Sequence, residues 1–214
     1  VVRIDREGDA PAGRRAEDRV LAAFAAALER AEAVLMSDYH QHLFTERLIA
    51  ETLRMCRARG VPVVADSRRR LALFRGVTAA TPNEVEAART ALIEPGDNAA
   101  LARIGRRLVR MLRARSVLVT RGRFGMALFE PGKRMRSIDV VGSRAATDVT
   151  GAGDTVAAAT ALTLAAGYDM AVAMRLANIA ASIVVMKRGT AVASPEEVLA
   201  TIDALERGER SSAG

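Results

Sequence analysis

The chain has 214 residues, half of them apolar, which suits a single domain with an ample core. Lys and Arg outnumber Asp and Glu by 32 to 25, but the basic residues are spread along the whole chain and only 3% of residues are aromatic, so a nucleic-acid partner is set aside. The one cysteine, Cys56, excludes an internal disulfide and a cysteine-based zinc site, and no apolar run is long enough to span a bilayer.

No signal peptide is read at the start, which makes a cytoplasmic location the default expectation. The excess charge is arginine, since lysine occurs only at 133 and 187, and its field favours anionic small molecules. Val1 to Arg6 alternates apolar and charged residues as a half-exposed strand does, and Gly8-Asp9-Ala10-Pro11 breaks it. From Arg14 to Ala33 the pattern is helical, with Val20, Phe24 and Leu28 on one stripe.

Val34-Leu35-Met36 reads as a short buried strand ending in Ser37-Asp38-Tyr39. Polar residues at the C-terminal end of a strand are where open α/β sheets place their ligands. His40 and His42 follow, without an acidic third ligand at fixed spacing, so zinc is set aside. Thr45 caps a helix running to Arg59, where Gly60 stops it. Cys56 lies on this helix as a small core residue. Val61 to Asp66 is the next strand, again ending in an acid, and Val77 to Ala80 is another.

Thr81-Pro82-Asn83 then turns into a helix whose Asn83 and Glu86 have capping-box spacing. A basic helix over Asn98 to Arg113 precedes a hydrophobic strand, Ser116 to Thr120. Thr120-x-Gly122-x-x-Gly125 reads as a hairpin turn, with Met126 to Glu130 and Met135 to Val140 alternating like paired strands.

The chemistry concentrates in Asp148-Val149-Thr150-Gly151-Ala152-Gly153-Asp154-Thr155 and the helix expected from Thr155 to Ala166. Gly151 and Gly153 let a turn present its N–H groups at the positive end of a helix dipole, a site for phosphate or developing negative charge. Asp154 can cap that helix or act as a base there. The glycines at 151 and 153 and the acid at 148 favour a site, and both roles are compatible. A break at Gly167-Tyr168-Asp169, a helix from Met170 to Lys187 carrying Asn178, and a last helix begun by Ser194-Pro195 complete the chain, with Gly208 to Gly214 as a polar tail.

Alternation of strand and helix from Val34 onward predicts an α/β fold with a parallel sheet between helices. There is no G-x-x-x-x-G-K-[ST] loop, and Val156 stands where a dinucleotide fingerprint needs its third glycine.

The run D-V-T-G-A-G-D from Asp148 to Asp154 resembles the C-terminal signature of the ribokinase-like (PfkB) sugar kinases. Within that family the chain is most similar to the D-glycero-β-D-manno-heptose-7-phosphate kinases. Ser37-Asp38-Tyr39 matches them, although His40-Gln41-His42 replaces their glycine-lysine-glycine stretch. Asp66-Ser67-Arg68 replaces their D-P-K. Asn83 to Glu86 matches their N-x-x-E, Thr120 to Gly125 a nucleotide-contacting turn, and Lys187 to Thr190 their K-x-G-T.

The resemblance implies a three-layer α/β/α fold with a mostly parallel sheet and the remnant of a β lid. It divides the chain into the end of a lid strand (1–8), a kinase core (14–207) and the polar tail (208–214). The opening V-V-R-I-D then lies mid-strand, with most of the lid and much of the sugar pocket preceding it. No nucleotidyltransferase domain follows, which implies a one-activity form or a cut piece.

It also implies roles. Asp154 takes the proton from a sugar hydroxyl, and the N–H groups of Gly151, Ala152 and Gly153 stabilise the transferred phosphoryl group. The segment Asn83, Glu84, Val85 and Glu86 lies beside the nucleotide, with Asn83 and Glu86 ordering Mg²⁺ through water. Thr120, Gly122 and Gly125 contact the nucleotide, and Asn178 and Gly189 belong to the wall along which adenine lies. Asp38 and Asp148 stand on the substrate side. Asp148 and the Thr150 carbonyl also match positions where many relatives hold a monovalent cation. ATP and a sugar phosphate are the implied ligands, a homodimer through the lid the implied assembly. The implied reaction is phosphorylation of the anomeric hydroxyl of heptose 7-phosphate in lipopolysaccharide precursor synthesis. The alternatives are ribose, fructose or fructose phosphate as acceptor, or a nucleotide-binding module without activity.

Overall fold

The computed structural model describes residues 13–39, 42–142 and 147–212, with the side chains of 208–212 excepted. The expected lid strand, His40 and Gln41 lie outside these residues. Helix α1 (Arg14–Leu28) leads to β1 (Val34–Asp38), α2 (Glu46–Ala58) to β2 (Val63–Ser67), and a short 3₁₀ turn at Leu71–Leu73 to β3 (Ala79–Ala80). Helices α3 (Glu84–Ala91) and α4 (Asn98–Leu112) precede β4 (Ser116–Thr120), which is followed by β5 (Met126–Phe129) and β6 (Arg136–Ile138). Three helices close the chain: α5 (Ala152–Ala165), α6 (Met170–Val184) and α7 (Pro195–Ser212). No helix among the described residues is long and apolar enough to cross a membrane.

The strands form one sheet in the order β1-β2-β3-β4-β5-β6. The first four are parallel, and β5 and β6 return antiparallel, as the turn after Thr120 predicts. Period-two alternation divides the sheet's side chains between two layers. Val63, Ala65, Val117, Val119, Ala127 and Phe129 face one core with residues of α2, α3 and α4. Val64, Leu118, Met126 and Leu128 face the other, with residues of α5 and α6. The result is a three-layer α/β/α sandwich. Cys56 is buried in the first core as a free thiol.

Several boundaries differ from the sequence reading, each for a local reason. Helix α1 stops at Leu28, because the chain must turn to bring Val34 N–H onto the Pro62 carbonyl, 2.9 Å away. Strand β3 begins at Ala79 rather than Val77, because the chain is still leaving the turn at Gly76, whose φ is 95°. Helix α6 ends at Val184, where the Val185 carbonyl takes N–H bonds from Thr147 (2.8 Å) and Asp148 (3.0 Å). Helix α7 runs past the expected limit at 207 to Ser212.

Candidate active site

The C-terminal ends of the parallel strands converge on the start of α5. Tyr39 follows β1, Asp66 and Arg68 end or follow β2, Thr81 follows β3, and Thr120 closes β4. Together with Asn83, Glu86, Gly151, Gly153 and Asp154 they line a polar cavity of about 480 Å³. Strand direction accounts for this convergence. Parallel strands all end on one edge, and the turns leaving that edge carry the polar residues.

Helix α5 begins without a side-chain cap. Its N-cap is Gly151, at φ 80°, a left-handed conformation that glycine adopts without strain. Asp154 is therefore not the cap; it sits in the first turn, where the dipole favours a negative charge. The Ala152 N–H is already engaged by the Val149 carbonyl at 3.2 Å, whereas those of Gly151 and Gly153 have no partner among the described residues. Of the three N–H groups read from the sequence, these two are open to an anion. The Tyr39 hydroxyl donates to Asp154 Oδ1, and this bond, followed by burial, raises the phenol's pKa.

Asp66 faces the same cavity from β2. Burial pushes its carboxyl up to about 6, the charges of Glu86 and Asp154 add to the effect, and Arg68 opposes it. Thr81 is 3% exposed, and its Oγ1 has no hydrogen-bond partner in this wall. A buried hydroxyl without a partner is costly unless a ligand or water completes it.

A second cavity of about 350 Å³ adjoins the first and shares Thr120, Val149 and Gly153 with it. It is a mostly apolar slot between the turn after β4 and the helices α5 and α6, lined by Gly122, Gly125, Met126, Ala152, Val156 and Asn178 among others. Its volume suits a small planar ligand. Gly125 is required here, since a Cβ would come within 2.0 Å of the Ile138 carbonyl oxygen and its φ is 78°. Asn178, 3% exposed, donates to the Asp139 carbonyl at 2.7 Å and braces the slot against the segment that leaves β6.

The remaining sequence candidates differ in where the fold places them. Asn83 and Glu86 line the polar cavity while forming the full capping box, each side chain accepting the other's backbone N–H at 2.9 Å. Glu84, 3.8 Å from Arg121, and the exposed Val85 line neither cavity. Asp38 is 3% exposed and accepts from Ser67 Oγ at 2.9 Å, with Arg70 Nε 3.6 Å away. It points to the opposite layer from Tyr39 and braces the strand ends. Asp148 accepts from the N–H groups of Thr150 (2.9 Å) and Gly189 (3.0 Å), which hold its carboxyl below the usual range. It joins the loop before α5 to the loop after α6, and neither it nor Gly189 lines either of the two cavities.

Tyr39, Asp66, Arg68 and Thr81 line the polar cavity although the sequence motifs give them no site role. The signal was present for three of them, as polar residues at strand ends. Only the layer each side chain faces separates Asp66 and Tyr39 from Asp38.

No three acidic, histidine or cysteine side chains among the described residues form a ready metal cage. The donor set fits a hydrated hard cation instead. Magnesium keeps several waters and takes few direct ligands, and Glu86 and Asn83 retain acceptor capacity beyond their capping bonds.

Residues 8–197 match the family model described as pfkB family carbohydrate kinase. The bifunctional protein HldE of Geobacter sulfurreducens is 38% identical over 203 residues, covering 94% of this chain and 41% of that protein. The chain thus spans less than half the length of this curated relative. Among solved structures, phosphofructokinase-2 from Escherichia coli in complex with potassium superposes with a TM-score of 0.81 at 16% identity, over 96% of this chain and 66% of its own. Arabidopsis thaliana ribokinase complexed with ribose and ATP gives 0.70 at 23% identity, over 86% of this chain and 58% of its own. At these identities the two structures speak for the fold.

Proposed function

The chain belongs to the pfkB family of carbohydrate kinases, and from that premise we propose that it transfers the γ-phosphoryl group of ATP to a hydroxyl of a sugar phosphate. The observation that carries this reading is the meeting of two unlike cavities at the start of α5. One is an apolar slot sized for a nucleobase, the other a polar chamber holding Asp154, and they share Gly153, Thr120 and Val149.

In this reading the adenosine lies in the slot beside Gly122, Gly125 and Asn178, and the phosphates run past Gly153 toward the polar chamber. The N–H groups of Gly151 and Gly153, with no side-chain cap competing for them, receive charge that builds on the transferred phosphoryl oxygens. Asp154 holds the proton removed from the acceptor hydroxyl as that oxygen attacks. Asn83 and Glu86 would hold Mg²⁺ through its waters, and the ion would supply neutralisation of the phosphate charge. A monovalent cation beside Asp148 and the Thr150 carbonyl belongs to the same proposal.

The acceptor we propose is D-glycero-D-manno-heptose 7-phosphate, phosphorylated at its anomeric hydroxyl. The support is the heptose-kinase-like S-D-Y, N-x-x-E and K-x-G-T motifs and the similarity to bifunctional HldE proteins. A homodimer through lid strands and a cytoplasmic location complete the proposal.

The test is ADP release from ATP and Mg²⁺ over heptose 7-phosphate, fructose 6-phosphate, fructose and ribose. Release with heptose 7-phosphate alone, lost in Asp154→Asn, is the expected result. Release with another sugar discards the heptose and keeps the kinase. ATP binding with no release from any sugar leaves a nucleotide-binding module.

A further inference from the structure

The polar cavity is unbalanced in charge. Asp66, Glu86 and Asp154 line it, and Arg68 is the one cationic side chain among its lining residues. A trianionic chamber is a poor host for a phosphate unless a cation faces it.

Arg68 is placed to do so. Its N–H donates to the Asp38 carbonyl at 3.3 Å, and its own carbonyl accepts from the Arg89 guanidinium, so the main chain at the end of β2 is held from both sides. The guanidinium lies over the ring of Tyr39, 4.8 Å from the centroid. Stacking fixes the plane of the group and leaves its edge free. No carboxylate among the described residues forms an ion pair with it; Asp66 feels its charge without a direct contact. Of the acids that share the cavity, Asp154 accepts from Tyr39 and Glu86 closes its capping box.

An unpaired planar fork of N–H donors matches two oxygens of one phosphate. The same chamber contains the uncapped start of α5, where Gly151 and Gly153 offer further N–H groups to an anion. Two independent features therefore favour a phosphate in this chamber.

We propose that Arg68 is the phosphate-binding side chain of the polar cavity, held in orientation by Tyr39. The inference rests on the kinase reading above and adds to it the residue that meets the anion. The phosphate has two possible sources, the group in transfer or a phosphate already carried by the acceptor, and kinetics separates them.

The experiment compares the full chain with Arg68→Gln and Arg68→Lys, varying ATP and heptose 7-phosphate independently. If Arg68 meets the transferred group, kcat falls about 10²-fold in Arg68→Gln while both KM values stay near those of the parent protein. If it meets the acceptor's phosphate, KM for the sugar phosphate rises by about tenfold or more, with KM for ATP unchanged. Arg68→Lys recovers part of either loss, because it restores charge without the fork. Arg68→Gln values within about twofold of the parent in all three constants overturn the proposal.

A parent protein that releases no ADP with any sugar sinks the kinase reading first. Calorimetric titration with inorganic pyrophosphate then decides on Arg68 alone. Binding by the parent that weakens about tenfold or more in Arg68→Gln supports it, and equal binding, or none by either protein, overturns it. Arg68 is exposed, so both variants are expected to fold, which far-UV circular dichroism checks.

Discussion

The hydroxyl of Tyr39 donates a hydrogen bond to Oδ1 of Asp154, across 115 positions of sequence. One residue follows the first parallel strand and the other stands in the first turn of α5, so the bond joins two parts of the polar cavity's wall. It occupies one of the two carboxylate oxygens that could take the acceptor's proton in the proposed mechanism. The sugar hydroxyl must therefore take the place of the phenol or share Asp154 with it.

Asp154→Asn removes the base and keeps the shape. ADP release should fall by roughly 10²- to 10⁴-fold, the scale of general-base catalysis, with the melting temperature nearly unchanged. Steady-state turnover beside a thermal melt checks both halves. Retained turnover would remove Asp154 from the chemistry.

Tyr39→Phe keeps the ring under Arg68 and deletes the bond to Asp154, whereas Tyr39→Ala removes both. The alanine variant should lose about tenfold more in kcat/KM than the phenylalanine variant. Equal losses would mean that the ring does not orient Arg68.

Asp66 has a pH signature with a definite sign. Its folded pKa of about 6 lies above the ordinary value of 3.8, so the folded state binds the extra proton between those values. The associated stability is fully present below about pH 4 and is lost as pH rises through about 6. Asp66→Asn should therefore raise the ligand-free stability at pH 7.5, by on the order of 1 to 3 kcal/mol, and the gain should vanish near pH 4. Urea titrations at the two pH values measure it. An equal gain at both would assign the effect to packing.

Gly105 tests the packing of α4 on the sheet. A Cβ there would come 2.3 Å from ring carbons of Phe129, itself only 3% exposed. Alanine is the better helix former by about 1 kcal/mol, but overpacking of this kind costs about 1 to 3 kcal/mol. Gly105→Ala should lower the urea midpoint. A raised midpoint would mean that the ring moves aside freely.

Asp148→Ala cuts the link between the Thr150 and Gly189 N–H groups. Turnover should fall by about tenfold as the start of α5 loses its brace, while the nucleotide slot, which Asp148 does not line, keeps its affinity for ADP. ADP calorimetry and turnover together check this. A parallel loss of ADP affinity would place Asp148 in nucleotide binding.

The sequence by itself determined the layers and much of the site. Alternation along strands such as Ser116–Thr120 and Met126–Phe129 set which side chains enter which core, because the side-chain period of a strand is two. Local chemistry fixed the capping box at Asn83 and Glu86 and the glycine turn at 151, since these depend only on residues a few positions apart. Tertiary structure decided the rest. Asp38, Tyr39 and Asp66 all look alike in sequence as polar groups at strand ends. The register of β1 against β2 turned Asp38 into a brace with Ser67, and left Tyr39 and Asp66 facing Asp154. Whether Asp148 faced a ligand or tied two loops, and what Asp154 met across the cavity, depended on contacts with Gly189 and Tyr39 made over long sequence distances. No local pattern encodes those contacts.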